Sequence, residues 1–194
     1  MLAAVFALQL VAAAPQCNQG TTYDIRGCWA KQDAAAAAEL KSTYAAVETA
    51  FQKEGLSTES LAVSQDAWTN ARDKTCAFEY NMYLPGTIAP QLGTECDLRM
   101  TQARTQHLAA WLKQKFHPPE QAGSTDVDTE LNRIYKLYVA RINSSQAKSL
   151  TNAQSAWSSY RNTWCAIAGG SCLTDLTNER IAELEASWIG EAFW

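Results

Sequence analysis

The 194-residue sequence is poor in histidine and in basic residues. Its two histidines, His107 and His117, form no pattern with a nucleophile, and neither a glycine-rich phosphate loop nor a distinct carboxylate pair is present. Sixteen lysines and arginines face 20 acids, which gives a net charge of −4. Because binding to nucleic acid needs a basic field, these shortages argue against a nucleic-acid-binding protein as well as against an enzyme. The sequence implies no cofactor.

Long apolar runs are also missing. The longest, residues 2–14, has thirteen residues, whereas a membrane-spanning helix needs about 20. A short apolar run followed by small residues is typical of a signal peptide. We therefore predict a signal peptide over residues 1–14 and a periplasmic or secreted mature protein without a transmembrane segment. A lipid anchor on Cys17 is the alternative, although the residues before it match such a site poorly.

The cysteine content fits an exported protein. Six cysteines allow three disulfides without a leftover thiol, as an oxidising compartment permits. No Cys-x-x-Cys pair occurs, and neither histidine has a zinc-type spacing from a cysteine, so we predict no metal site. The six are Cys17, Cys28, Cys76, Cys96, Cys165 and Cys172.

An internal repeat organises the rest of the chain. Segments 61–76 and 150–165 match at an offset of 89, and both contain Ala-Trp-x-x-x-Arg-x-x-x-Cys. Further matches pair Glu39, Leu40 and Tyr44 with Glu130, Leu131 and Tyr135, and pair Cys96, Thr101, Arg104 and Leu108 with Cys172, Thr177, Arg180 and Leu184. We interpret the chain as two tandem units, residues 17–117 and 118–194, joined by a proline-containing linker that starts at His117.

The periodicity of both units is helical. Apolar residues recur every three or four positions in segments 40–51, 150–164 and 173–188, and Gly55 is a natural end for the first of these helices. Alternating patterns typical of strands are nearly absent. We therefore predict an all-α fold in which two tandem three-helix units pack together and are stabilised by disulfides.

The repeat narrows the fifteen possible pairings of six cysteines. The second unit holds only Cys165 and Cys172, which we expect to pair, and the repeat predicts the equivalent bond in the first unit. The predicted bonds are Cys17–Cys28, Cys76–Cys96 and Cys165–Cys172. A rival scheme, Cys28–Cys76 with Cys17–Cys96, is open because antiparallel helices would bring the first two of these residues close together.

The motifs of the second unit resemble those of a known family. They are Gln154-x-x-Trp157-x-x-x-Arg161-x-x-x-Cys165, Gly169-Gly170-Ser171-Cys172 and Leu176-Thr177-x-x-Arg180. This pattern resembles the N-terminal domain of LprI-type lysozyme inhibitors from the bacterial envelope. The first unit is more divergent but keeps Cys17 and Cys28, a pair that the family usually has. The resemblance covers nearly all of the mature chain and implies a protein partner such as lysozyme.

Tryptophan and arginine recur in both units. In each unit they are four residues apart, so the guanidinium can lie beside the indole ring, and a further arginine comes from the third helix. These residues are Trp68, Arg72, Arg104, Trp157, Arg161 and Arg180. Arginines in such a cluster can bind a carboxylate. We favour a structural role, because a determinant of the fold has to be present in both copies.

The segment between Cys76 and Cys96 differs most between the units, with nineteen intervening residues against six. We predict a loop closed by a disulfide at its base, which would lose little entropy on binding a partner. Its candidate anchors are Phe78, Tyr80, Tyr83, Leu84 and Ile88. The alternative is that the segment folds back and covers the interface between the units.

Two functions fit these observations. The first is an exported binding protein that inhibits lysozyme-type muramidases. The net charge of −3 on residues 118–194, from nine acids and six bases, would attract a cationic partner of this kind. The second is a structural or adaptor module of the envelope that has another partner and does not inhibit lysozyme.

Overall fold

The computed structural model describes residues 17, 19–114 and 123–191, so the predicted signal segment and the predicted boundary between the units lie outside the described part of the chain. Within that part, six helices and no strand are formed, which confirms the all-α prediction. The helices are α1 (Thr22–Glu54), α2 (Thr58–Met82), α3 (Ala89–Lys113), α4 (Thr125–Val139), α5 (Ser144–Ala168) and α6 (Cys172–Glu191).

Short polar residues and glycine set the helix ends. Thr21 caps α1 through a reciprocal pair of hydrogen bonds with Asp24, and Asn143 caps α5 in the same way with Gln146. The predicted end of α1 at Gly55 is confirmed, because this residue takes the left-handed conformation (φ 70°) in which its N–H bonds back to the helix.

The six helices form two three-helix groups that share one core. In each group the first helix packs against the third, and α2 of the first group packs along α5 of the second. The predicted apolar stripe on α5 is buried against this core. One hydrophobic cluster contains residues from all six helices, so the predicted packing of the two units against each other is confirmed.

Three disulfides cross-link the helices, and no described cysteine is free. Cys17–Cys28 ties the N-terminal segment to α1, Cys76–Cys96 joins α2 to α3, and Cys165–Cys172 joins α5 to α6. These are the bonds that the repeat predicts, and the rival scheme is not formed.

The prediction of a nineteen-residue loop between Cys76 and Cys96 is wrong. Helix α2 continues to Met82 and α3 begins at Ala89, so residues 83–88 alone connect them. Proline does not prevent this start of α3, because the first turn of a helix needs no bond from its N–H. Phe78 is also not a surface anchor, since it is 2% exposed and packs edge-on against Tyr138 of α4 with 5.8 Å between ring centroids.

Candidate functional site

The two Trp–Arg pairs have the same internal geometry. The guanidinium carbon of Arg72 lies 5.1 Å from the centre of the Trp68 ring, and that of Arg161 lies 5.2 Å from the Trp157 ring. Both tryptophans are buried, and both line one small cavity between the two units. The arginines extend from the indole rings towards the surface, where they are partly exposed.

The arginines of the third helices are buried between the two units. Arg104 is 1% exposed and Arg180 is 2% exposed. The Nε–H of Arg104 donates to Gln65 Oε1 at 3.0 Å, and that of Arg180 donates to Gln154 Oε1 at 3.2 Å. Because both glutamines occupy the same position in the repeat, the arginine–glutamine hydrogen bond is present in both units.

The remaining partners of the two arginines differ between the units. Arg180 Nη1 forms an ion pair of 2.9 Å with Glu183, which lies one turn further along α6. The equivalent position on α3 is His107. As a result, Arg104 has no carboxylate within 4 Å among the described residues.

Arg104 is stabilised instead by aromatic rings from the other unit. Its guanidinium carbon lies 4.3 Å from the centre of the Trp164 ring and 5.3 Å from that of Tyr160, both on α5. The negative faces of aromatic rings attract cations, and this attraction is stronger where water is excluded. Burial still lowers the pKa of Arg104 from its ordinary value. The interface between the units therefore contains a buried cation that aromatic rings and neutral hydrogen-bond acceptors surround.

His107 connects this interface to the second unit. Its Nδ1 lies 3.1 Å from the Tyr160 hydroxyl, and its Nε2 lies 3.1 Å from a carboxylate oxygen of Glu179 on α6. Burial raises the pKa of Tyr160, so its phenol stays protonated at neutral pH. The sequence prediction did not include His107. The repeat alignment carried the signal, because a histidine takes the place of the acid that pairs with Arg180.

A pocket of about 490 Å³ lies beside His107. The end of α3, the end of α5 and the start of α6 surround it, and both aromatic rings and carboxylates line it. Its lining includes Trp111, Trp164, Asp175 and Glu179. The interface between the units thus leaves an open cleft at one end.

The connection between α2 and α3 forms a projecting hairpin tip, defined here as residues 80–88. Leu84 is 50% exposed, Ile88 48% and Tyr80 36%. Helix α2 extends six residues beyond Cys76, or about 9 Å, before the tip turns. In the second unit, α5 ends three residues after Cys165. Four of the five predicted anchors, all but Phe78, therefore lie in a feature that only the first unit has.

A family model described as "Lysozyme inhibitor LprI" matches residues 12–108 and 121–184. The two matched segments together span most of the chain and contain both Trp–Arg pairs and all six cysteines. The chain belongs to the lysozyme inhibitor LprI family. The resemblance seen in the sequence motifs is thereby confirmed, and the description of the LprI family is that of an inhibitor rather than of an enzyme.

The fold of this LprI-family chain resembles one solved structure. A crystal structure of an uncharacterised protein from Burkholderia thailandensis matches with a TM-score of 0.66 at 16% sequence identity. The match covers 86% of this chain and 87% of that chain. At this identity the similarity concerns the fold alone. No curated protein matches the sequence significantly.

Two further kinds of feature are absent from the described part of this LprI-family protein. Residues 17, 19–114 and 123–191 contain no group of three or more His, Cys, Asp or Glu side chains placed to hold a metal ion. No helix within the same ranges combines the length and the apolar character that a membrane span requires.

Proposed function

We propose that this protein is an exported binding protein that inhibits a lysozyme-type muramidase, and that it is not an enzyme. Membership of the LprI family carries the proposal. Three disulfides, together with a sequence that begins with a signal-like segment, support a periplasmic or secreted location. The partner in this proposal is the muramidase itself, bound as a folded protein.

We infer that the hairpin tip enters the substrate cleft of the muramidase. A glycosidase of this kind holds two carboxyl groups on either side of the sugar chain. No charged residue lies between Glu79 and Glu95, so the tip can be buried there without desolvating an unpaired charge. Two helices and the Cys76–Cys96 bond hold the tip in place. A preorganised tip loses little conformational entropy on binding.

The charge of the whole chain supports the same partner. A net charge of −4, of which −3 lies in residues 118–194, attracts a cationic muramidase over long range. Such attraction raises the association rate and weakens with salt, because salt screens charges over about 10 Å at 0.1 M.

The proposal predicts inhibition of cell-wall lysis in a turbidity assay with purified protein. Replacing Leu84 and Ile88 together by aspartate should weaken inhibition at least about tenfold, because apolar anchors at the centre of an interface contribute more than ~1 kcal/mol each. Val63→Asp is the matched control. Val63 is 51% exposed on α2 and lies 19 residues before the end of that helix, far from the hairpin tip, so inhibition should be unchanged.

Full lysis in the presence of a micromolar excess of the protein, with muramidases of several classes, would contradict the inhibitor proposal and would favour the adaptor alternative. Inhibition that the double aspartate variant retains would show that another surface makes the contact. Circular dichroism of all variants checks that their helix content is unchanged.

A further inference from the structure

The environments of the repeat-equivalent arginines Arg72 and Arg161 are not equivalent. In the second unit, Arg161 Nη1 donates to Asp128 Oδ1 and to Thr177 Oγ1, each at 2.9 Å. Asp128 lies on α4 and Thr177 on α6, so one guanidinium edge joins three helices. A carboxylate of the protein itself thus occupies this position.

In the described part of the first unit, no carboxylate lies at the equivalent position. The upstream part of the repeat, which aligns Glu39 with Glu130, places Ala37 at the position of Asp128. A pocket of about 340 Å³ is present here, and its lining includes Ala37, Arg72 and Thr101, the equivalent of Thr177. This volume lies within the range of small-molecule sites, about 300–1,000 Å³.

One terminal nitrogen of Arg72 in this pocket has no hydrogen-bond partner among the described residues. The Nε–H and Nη2–H groups of Arg72 donate to the neighbouring Asp73, and Nε also lies 3.7 Å from Asp97. Its Nη1, the atom that binds Asp128 in the other unit, makes no hydrogen bond with a described residue. Nη1 is therefore available as a donor for a further carboxylate, and no described residue supplies one at this position.

The pocket also contains acidic groups. Asp33 and Asp97 line it, one helical turn before Ala37 on α1 and before Thr101 on α3 respectively. Burial raises the pKa of Asp97, the positive charge of the arginine opposes this effect, and the charge of Asp33 adds to it. Lys41 lines the pocket as well, so both cationic and acidic side chains surround it. A ligand that carries a carboxylate and an ammonium group finds a partner of opposite charge for each.

We propose that this pocket of the first unit binds a small zwitterionic ligand of the amino-acid or short-peptide class. The ligand carboxylate takes the place that Asp128 fills in the second unit, on Arg72 Nη1 and Thr101. The ammonium group of the ligand lies towards Asp33 and Asp97. This binding is independent of muramidase inhibition, since the hairpin tip contributes no residue to the pocket.

Three related probes test the chemistry in an NMR titration of the ¹⁵N-labelled protein. Dialanine carries both charges, its methyl ester lacks the carboxylate, and N-acetyl-dialanine lacks the ammonium group. We expect dialanine to shift amide signals around Arg72 and Thr101. Each modified probe should bind at least about tenfold more weakly, because each loses a charged hydrogen bond. Equal binding of dialanine and its methyl ester would overturn the assignment of the carboxylate.

One substitution tests the position directly. Ala37→Asp supplies the carboxylate that the second unit has, and it should weaken dialanine binding at least about tenfold by occupying Arg72. Ala38→Asp is the matched control, because this neighbouring exposed residue does not line the pocket and should leave binding unchanged. Absence of dialanine binding to the unmodified protein at tens of millimolar, or equal binding to both variants, would overturn the proposal.

Discussion

Replacing Arg104 by alanine should lower the free energy of unfolding by about 3–5 kcal/mol, as for the truncation of a large core side chain. The substitution removes the guanidinium from the rings of Trp164 and Tyr160 and leaves Gln65 Oε1 without its donor. The ring contacts join α3 to α5 and the Gln65 bond joins α3 to α2, so the substitution weakens the interface between the two units as well as the packing within the first. Urea denaturation followed by circular dichroism measures the effect.

Arg104→Met is the control that separates packing from charge. Methionine fills most of the same volume, and it removes a buried cation to which no described residue presents a carboxylate within 4 Å. Replacing a buried charge by an apolar side chain of similar volume is often nearly neutral. We therefore expect this variant to lose less than about 2 kcal/mol. A loss below about 1 kcal/mol for the alanine variant would contradict the role of Arg104 in the shared core.

Removing the Cys76–Cys96 disulfide by a double alanine substitution should cost about 3.3 kcal/mol of unfolding free energy. The bond closes a loop with a sequence separation of 20, and its removal releases loop entropy in the unfolded chain. The repeat provides the comparison. Removing Cys165–Cys172, with a separation of 7, should cost about 2.5 kcal/mol by the same relation.

The two disulfide variants should lose similar amounts of stability, but only one of them should lose inhibition. The hairpin tip lies beyond Cys76–Cys96, so loss of this bond frees the base of the tip and raises the entropy that binding must remove. Inhibition of lysis should fall for this variant and stay close to normal for the Cys165–Cys172 variant at a temperature where both are folded. Equal inhibition by both would show that the bond serves stability alone.

The architecture was predictable where the repeat and the helical period agree. The stripe on α5 and the end of α1 at Gly55 follow from the residues themselves, and the pairing of Cys165 with Cys172 follows from their isolation in the second unit. The segment after Cys76 was misjudged because its prolines and glycines indicated a loop. Pro90 instead lies in the first turn of α3, where proline is tolerated.

The surroundings of Arg104 could not be predicted from local pattern. They depend on α2 lying along α5, which brings Trp164 and Tyr160 of one unit to the third helix of the other. Periodicity identifies the buried face of a helix but not the helix that covers it. The alignment of the two units shows that His107 replaces an acid. The packing is needed to show that this histidine contacts Tyr160 and Glu179 of the other unit.

The pairing of α2 with α5 brings together equivalent helices of the two units. Two identical subunits would use such a surface to form a two-fold dimer, in which each presents the same face. Association of separate subunits weakens on dilution, whereas two units on one chain meet at an effective concentration that dilution cannot change. A protein released into a large volume would keep this internal dimer assembled, and with it the buried Arg104 and the cleft beside His107.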